Sequence, residues 1–318
     1  MTSYSLTYIL LTYNQRDTVK AAVESALVQD VQPMEIVISD DCSSDGTFAE
    51  VEAAVSGYSG PHRVILNRNP ENLGLAGNLA KVHDLSTGDI IVAAAGDDLS
   101  EPQRCQRILE TFVEEAPLLL CSYAKVIDPA GQPVPGNFKT ALFYGDEWSL
   151  KQVARSKSLY IGATGAWHRS LYEDFGQMAP GSYEDLVLGF RAALQGRVSL
   201  IKEELVSYRL GFGITSSDAY LADVTSYKKR RLSGFLAQKA VMHQREADAR
   251  EFGLSDKSPV MRVLKKEQRK ADLGISYYQD TPSAFAAKAL RHPLLMLVIA
   301  RAERRRARKF LVNCKPVG

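Results

Sequence analysis

The run ISDDCSSDGT, Ile38–Thr47, packs three aspartates, three serines and a glycine into ten positions. It nearly spells a calcium loop: Asp41, Ser43, Asp45 and Gly46 fall at the first, third, fifth and sixth places, with Glu52 at the twelfth. A calcium hand, however, is entered from a helix. This loop is entered from Met34–Ser39, which is short, apolar and β-branched, so the calcium spacing is read as accidental. An Asx-type turn, with Ser44 or Asp45 capping a following helix, accounts for the second half of the run. It leaves Asp40 and Asp41 unexplained at the end of a strand.

The same grammar extends to both sides. Leu6–Leu11 reads as a buried strand, and Thr18–Gln29 places Val19, Ala22, Val23, Ala26 and Leu27 on one helical face, with Asp17 as its expected N-cap. Thr47–Val55 predicts a second helix, Arg63–Asn67 a third strand, Leu75–Leu85 a third helix and Asp89–Ala95 a fourth strand. Strands alternating with helices predict an α/β fold around a mostly parallel sheet covered on both faces. Ligands of such sheets sit beyond the carboxyl ends of the strands.

Three groups of residues stand at those ends. Asp97 and Asp98 follow a strand of small apolar residues in AAAGDDLSEP. Two hard carboxylates there suit Mg²⁺ or Mn²⁺ shared with a diphosphate; the ordinary alternative is a turn in which Asp98 or Ser100 caps a helix beginning near Pro102. Glu184 and Asp185, in GSYEDLVLGF, are either catalytic or simply acids stabilised in the first turn of a helix over Leu186–Leu194. Thr12, Tyr13 and Asn14 close the first strand with groups that can stack on and hydrogen-bond a base, or else form a turn. The chain contains no GxGxxG, no GxxxxGK[ST], no HExxH and no GxSxG, which removes support for dinucleotide, P-loop, zinc-hydrolase and serine-hydrolase chemistry.

Taken in order, ILLTYNQRDTVKAAVESALVQ, EIVISDDCSSDGT, NPENLGLAGN and GDIIVAAAGDD resemble the nucleotide-binding half of family 2 glycosyltransferases with the GT-A fold. YEDLVLGFRAALQG and LVSYR resemble the acceptor half, so the likeness runs over about residues 4–215. It implies a Rossmann-like sheet, a nucleotide-sugar donor, a divalent cation (Mn²⁺ or Mg²⁺) and transfer with inversion. Thr12, Tyr13 and Asn14 then resemble the uridine-side residues, Asp40 the acid that accepts from the base, and Asp41 its support. Gly74 resembles the turn that approaches ribose and phosphates, Asp97 with Asp98 the cation ligands, and Asp185 the catalytic base. The sequence departs from the family at three points. Ala95 stands where the first acid of the DxD motif belongs, Gly77 where a basic residue is frequent, and YRLGFGITS lacks the histidine that often follows YR. Phosphate neutralisation would then come from the cation or from a residue such as Arg68.

Charge divides the chain. From Tyr220 onward there are 22 Lys and Arg against 9 Asp and Glu, a balance of +13, and the first 219 residues carry −11. The expected organisation is a catalytic domain over residues 1–219, split into nucleotide (1–100) and acceptor (101–219) halves, followed by a helical basic region over 220–318. His292–Leu311 joins an apolar stretch to six basic residues. That pattern suits an anionic membrane surface; a helix packed on the catalytic domain and a nucleic-acid contact are the alternatives, the last without the interleaved aromatics it needs. Four scattered cysteines, no signal-peptide pattern and no long apolar span predict a cytoplasmic protein, peripheral on the membrane's inner face, that acts on a saccharide or lipid-linked saccharide in bacterial surface-polysaccharide or lipopolysaccharide synthesis. Two rivals remain. A sugar-nucleotide pyrophosphorylase would need a Gly-rich basic loop in place of LTYNQRDT, whereas a degenerate, non-catalytic family member would bind nucleotide or a partner with little metal dependence.

Overall fold

Leu6–Thr12 forms the central strand, β1, because its alternate residues are apolar on both sides and both sides are covered. The computed structural model describes residues 4–135, 141–211 and 223–313. Helix α1 (Arg16–Leu27), strand β2 (Glu35–Asp40), α2 (Thr47–Val55), β3 (Arg63–Arg68), α3 (Gly74–Leu85) and β4 (Ile90–Ala95) follow in the predicted alternation. β3, β2, β1 and β4 lie side by side and parallel. One face buries Tyr8, Leu10, Ile36, Ile38 and Val92 against α1, α2 and the helix α4 (Arg104–Glu115). Ile9, Val37 and Ile91 point the other way, and α3 packs on that side with Leu79 and Val82 buried.

The second half departs from simple alternation. Two-residue β5 (Leu99–Ser100), β6 (Leu119–Ile127), α5 (Leu150–Arg155), β7 (Ala166–His168), α6 (Ser170–Glu173), α7 (Glu184–Leu194) and β8 (Val198–Arg209) complete the first unit. The sheet has eight strands in the order β3-β2-β1-β4-β7-β6-β8-β5. β7 is antiparallel to both β4 and β6, and β5 to β8, so the sheet is mixed rather than uniformly parallel. β6 runs parallel to β8 with register shifts around Tyr123.

Local expectations are corrected at three helix starts. Asp17 lies inside the first turn of α1, whose N-cap position is Gln15. α4 begins at Arg104 rather than near Pro102, and no side chain caps it, so Asp98 and Ser100 do not serve there. Asp45 makes the expected Asx-type turn, accepting from the Thr47 N–H at 2.9 Å, but the N-cap position of α2 is Gly46, without a side-chain cap. Of the Pro/Gly loop Asp128–Phe138, residues 136–138 lie outside the described residues. The rest folds back as a tight turn, with the Asp128 N–H donating to Gln132 O at 2.8 Å and Gly131 at φ +85°.

The chain divides into two compact units, Met1–Ile214 and Thr215–Gly318. The second is entirely helical among its described residues: α8 (Val224–Glu251), α9 (Pro259–Gln279), α10 (Pro282–Leu290) and α11 (Pro293–Asn313). α8 and α9 pack around Val241, Met242, Met261, Leu264 and Ala271. The buried carboxylate of Glu303 on α11 takes a forked pair of bonds from Arg231 of α8, at 2.9 and 3.0 Å, and one from Tyr278 of α9 at 2.7 Å. No described helix is long and apolar enough to cross a membrane.

Candidate active site

The carboxyl ends of β1, β2 and β4 meet in one hydrogen-bonded cluster. Thr12 and Asp40 stand opposite each other in the β1–β2 register, and the Asp41 N–H donates to Thr12 O at 2.9 Å. Asp40 is fully buried. Its carboxylate accepts from the Ser43 N–H at 2.9 Å and the Ser43 hydroxyl at 2.5 Å, and the Arg68 Nε lies 3.7 Å away. Asn14 turns the chain at φ +50° and is locked to the same loop: its N–H donates to the Ser43 Oγ at 2.8 Å, and its Oδ1 accepts from the Ser44 N–H at 3.0 Å. Beside them the Tyr13 ring is half exposed at 49%, which leaves an aromatic face open at the strand end.

Asp41 faces away from this group. Its Oδ1 accepts from the Asn69 Nδ2 and the Leu73 N–H, both at 2.9 Å, and its Oδ2 from the Gly74 N–H at 2.8 Å. A carboxylate from the end of β2 thus satisfies the free N–H groups at the start of α3 and fixes that end of the helix. Gly74 sits at φ +69°, a conformation that favours glycine. Asp41 and Asp45 are both engaged by backbone donors, near the starts of α3 and α2.

Asp97 and Asp98 are both buried at the turn after β4. They face different neighbours. Asp97 Oδ1 accepts from the Gln15 Nε2 at 2.8 Å, whereas Asp98 Oδ1 accepts from the Arg209 N–H at 2.8 Å, at the end of β8. Burial raises the pKa of Asp97 above its ordinary value. It raises that of Asp98 well above, with the charge of Asp97 adding to the effect. Each carboxylate has lone pairs beyond the single side-chain or backbone donor just named. Hard, partly unsatisfied oxygen atoms that resist carrying charge side by side fit a divalent cation that also keeps waters or phosphate oxygens. They are two carboxylates, and no group of three acidic, His or Cys residues gathers among the described residues. The YR segment's missing histidine concerns residues beyond 211, outside the described range.

Two residues in this cluster escaped the sequence reading. Gln15 accepts from the Thr12 hydroxyl at 3.0 Å and holds Asp97 from the other side. A Cβ at Gly96 would meet Gln15 Oε1 at 2.6 Å and Thr12 Oγ1 at 2.7 Å, so glycine is what lets Gln15 cross. Arg209 donates through Nε to Asp97 O at 2.9 Å and through Nη1 to Pro129 O at 2.9 Å, pinning the turn after β6 to the acidic turn. The residue types LTYNQ and LVSYR were visible; the partners came only with the fold. Arg68 lies on the β2 side of the cluster. It packs over the Phe48 ring at 5.4 Å and on Ser43 O at 3.1 Å. Its strand stands three neighbours from β4, about 14 Å at ordinary strand spacing, so it serves the β2 side and not the acidic turn.

Asp185 lies in the first turn of α7, its Oδ1 accepting from the Leu186 N–H at 2.8 Å. Its neighbour Glu184 is raised in pKa by burial. The Tyr160 hydroxyl beside them is pushed well up, first by burial and then by the charges of Glu184 and Asp185. The 3₁₀ turn Gly162–Thr164 lies directly against these acids: a Cβ on Gly162 would collide with Glu184 Oε1 and come within 3.9 Å of Asp185 Cβ. Arg104 joins this turn to the sheet. Fully buried, it donates through Nη2 to Ala93 O and to Ala163 O, both at 2.7 Å, and through Nη1 to the Ser100 Oγ at 2.9 Å. One guanidinium therefore ties the strand that leads to Asp97 to the turn that supports Asp185.

Comparisons with known proteins bear on the family and the fold. EpsH of Bacillus subtilis, named a glycosyltransferase, is 26% identical over 219 residues, 66% of this chain, and the match spans 62% of the length of EpsH. Among solved structures, S. aureus TarS 1-349 in complex with UDP-GlcNAc superposes with a TM-score of 0.58 at 19% identity, covering 98% of this chain and 89% of that one. The mannosyltransferase PcManGT from Pyrobaculum calidifontis, in complex with GDP-Man and Mn²⁺, gives 0.56 at 18% identity, covering 99% and 84%. These likenesses bear on the fold: the GT-A sheet and the helices that follow it. The model of the family described as glycosyl transferase family 2 matches residues 7–173, more than half of the chain, and the protein belongs to that family.

Proposed function

We propose that the chain is an inverting glycosyltransferase that moves a sugar from a UDP-linked donor to an acceptor hydroxyl. The observation that carries this reading is that Arg104 bonds both Ala93 O, on the strand that leads to Asp97, and Ala163 O, in the turn packed against Glu184 and Asp185. In it, the open face of Tyr13 stacks on the base. Asp40 acts through the shell it organises, holding Ser43, Asn14 and Arg68 around the base. Asp41, by fixing Gly74 and the start of α3, sets the backbone that approaches ribose and phosphates. Asp97 and Asp98 would hold Mn²⁺ or Mg²⁺, with Gln15 and Arg209 orienting them; when bound, the cation neutralises charge developing on the leaving diphosphate.

Asp185 takes the proton from the acceptor hydroxyl as that oxygen attacks the anomeric carbon from the face opposite the diphosphate. The new glycosidic bond forms as the bond to the diphosphate breaks, which inverts the anomeric centre. The Leu186 N–H steadies the carboxylate, and buried Tyr160 beneath it keeps water from that side. The acceptor is a saccharide or lipid-linked saccharide of cell-surface polysaccharide or lipopolysaccharide assembly, met by a cytoplasmic chain at the inner face of the membrane. This last assignment rests on family resemblance.

Calorimetric titration of UDP with and without Mn²⁺, on wild type, Asp97→Asn and Asp185→Asn, tests the reading. Mn²⁺ should tighten UDP binding in wild type and in Asp185→Asn but not in Asp97→Asn. Transfer in Asp185→Asn should fall about 10²–10⁴-fold. The pair of carboxylates and Ala95 keep one rival in view, a non-catalytic nucleotide binder. It predicts Mn²⁺-independent binding and no measurable transfer in wild type.

A further inference from the structure

The helical unit exposes apolar side chains that its own packing does not use. Leu290 at the end of α10 is 80% exposed, and Leu294 and Val298 on α11 are 79% and 61% exposed. Leu294, Leu297 and Val298 follow each other at helical spacing, so they share one stripe, and Arg301 continues it one turn on. Large exposed leucines grouped in this way mark a contact surface. Across from them α9 presents Arg262, Lys265, Lys266 and Arg269, spaced three, four and seven residues apart on a single face. Between the two helices runs a groove of about 620 Å³ lined by these four cations together with His292, Leu294, Leu295 and Val298. Lys265 is paired with Asp256 at 3.2 Å. Among the described residues, Arg262, Lys266 and Arg269 have no acidic partner.

We propose that this face, formed by the α10–α11 corner and the cationic stripe of α9, docks on an anionic lipid bilayer. The proposal rests on the reading of a membrane-side acceptor given above and names the surface that makes the contact. The chemistry selects the partner. Anionic headgroups satisfy unpaired guanidinium and ammonium groups, and the leucines enter the boundary between headgroup and acyl chain, where apolar area is rewarded. Long basic side chains can lay their stems along that boundary and keep their charges at the phosphates. A nucleic acid would answer the charge but leave the leucines in water, and no aromatic ring of α9–α11 is among the exposed large side chains that could stack on bases. The geometry is that of a surface contact: no described helix spans a bilayer.

The test is co-sedimentation of the full chain with vesicles of phosphatidylcholine alone or mixed with phosphatidylglycerol. Wild type should bind only the mixed vesicles and be released by salt. Arg262→Gln/Lys266→Gln/Arg269→Gln should bind about 100-fold more weakly, about fivefold for each cation near the surface. Leu294→Ser/Leu297→Ser should lose about tenfold or more, the transfer of two partly inserted leucines. These positions are exposed, so both variants should fold. Unchanged far-UV circular dichroism and an unchanged melt of the helical signal would confirm that they do. Wild type that ignores phosphatidylglycerol, or variants that bind vesicles as wild type does, would overturn the proposal. So would a leucine variant that loses self-association in the ultracentrifuge while vesicle binding is unchanged, which would assign the face to a second copy of the chain. If UDP fails to bind wild type but vesicles do, the transferase reading falls and the docking face stands.

Discussion

Replacing Arg104 with Met keeps a long apolar stem and removes the guanidinium that bridges β4 to the Gly162–Thr164 turn. Two carbonyls, buried Ala93 O and part-buried Ala163 O, lose donors at 2.7 Å, and the Ser100 hydroxyl keeps only its bond with Tyr8. Each acceptor left short costs about 1–1.5 kcal/mol. The three contacts together come to about 4 kcal/mol. In a unit of about 200 residues each kcal/mol moves Tm by about 2–4 °C, so the melting point should fall by about 8–16 °C. The assay is selective, because both tryptophans, Trp148 and Trp167, lie in the first unit. Trp167 is buried on β7. Intrinsic fluorescence therefore follows the first unit even if the helical unit melts separately. Arg104→Lys, which keeps the charge but not the fork, should fall between. A drop below about 3 °C in Arg104→Met would refute the bridge as a source of stability. A full drop with undiminished transfer in the surviving folded protein would refute its part in aligning the two acids.

Three further outcomes follow from the same contacts. Gln15→Leu removes the donor that orients Asp97 and should weaken Mn²⁺-dependent UDP binding about 10–100-fold in calorimetry, with Mn²⁺-independent binding little changed. Gly162→Ala drives a methyl against the Glu184 carboxylate; transfer should drop by up to about 100-fold through misplacement of Asp185, while UDP affinity holds. Asp97 and Asp98 are raised in the folded state. The native protein therefore binds more protons than the unfolded chain as pH climbs from the ordinary Asp value, and their contribution to stability falls across that window. Asp98→Asn removes part of this fall, so its stability relative to wild type should improve from acidic to neutral pH in metal-free thermal melts; a flat or opposite trend would refute it.

Much of the first half could be read directly. β1, β2 and β4 are buried on both faces, so their apolar runs are unbroken, and α2 spans the residues periodicity gave it. β6 and β8 went unread. They carry polar residues such as Ser122, Lys125, Lys202 and Glu203 amid their apolar positions, and their pairing has register shifts. β7 has three residues, too few for any periodicity to show. At the site, residue types at strand ends pointed to Asp97 and Asp40, but the contacts of Gln15 with Asp97 and of Arg104 with Ala163 join residues 82 and 59 positions apart. No spacing rule reaches that far. Arg68's place beside Asp40, set by the position of β3 in the sheet order, likewise came only with the fold.

The departures from the family pattern have physical counterparts that can be tested directly. A Cβ at Gly77 would stand 2.8 Å from Leu73 Cβ, so a basic residue there would disturb the start of α3 that Asp41 holds. Ala95 is different. It ends β4 opposite Leu11 and is only half-buried, so a larger side chain has somewhere to go. Ala95→Asp would set a third carboxylate near two that already resist ionising together. Without metal this like-charge crowding should lower the melting point of the first unit. With Mn²⁺ the same charge becomes an added oxygen ligand, so the variant should regain stability and bind UDP more tightly than wild type. The opposed signs in one protein are the signature. A variant destabilised equally with and without Mn²⁺ would show that the turn after β4 does not hold a cation, and that Asp97 and Asp98 are buried for the sake of Gln15 and Arg209 alone.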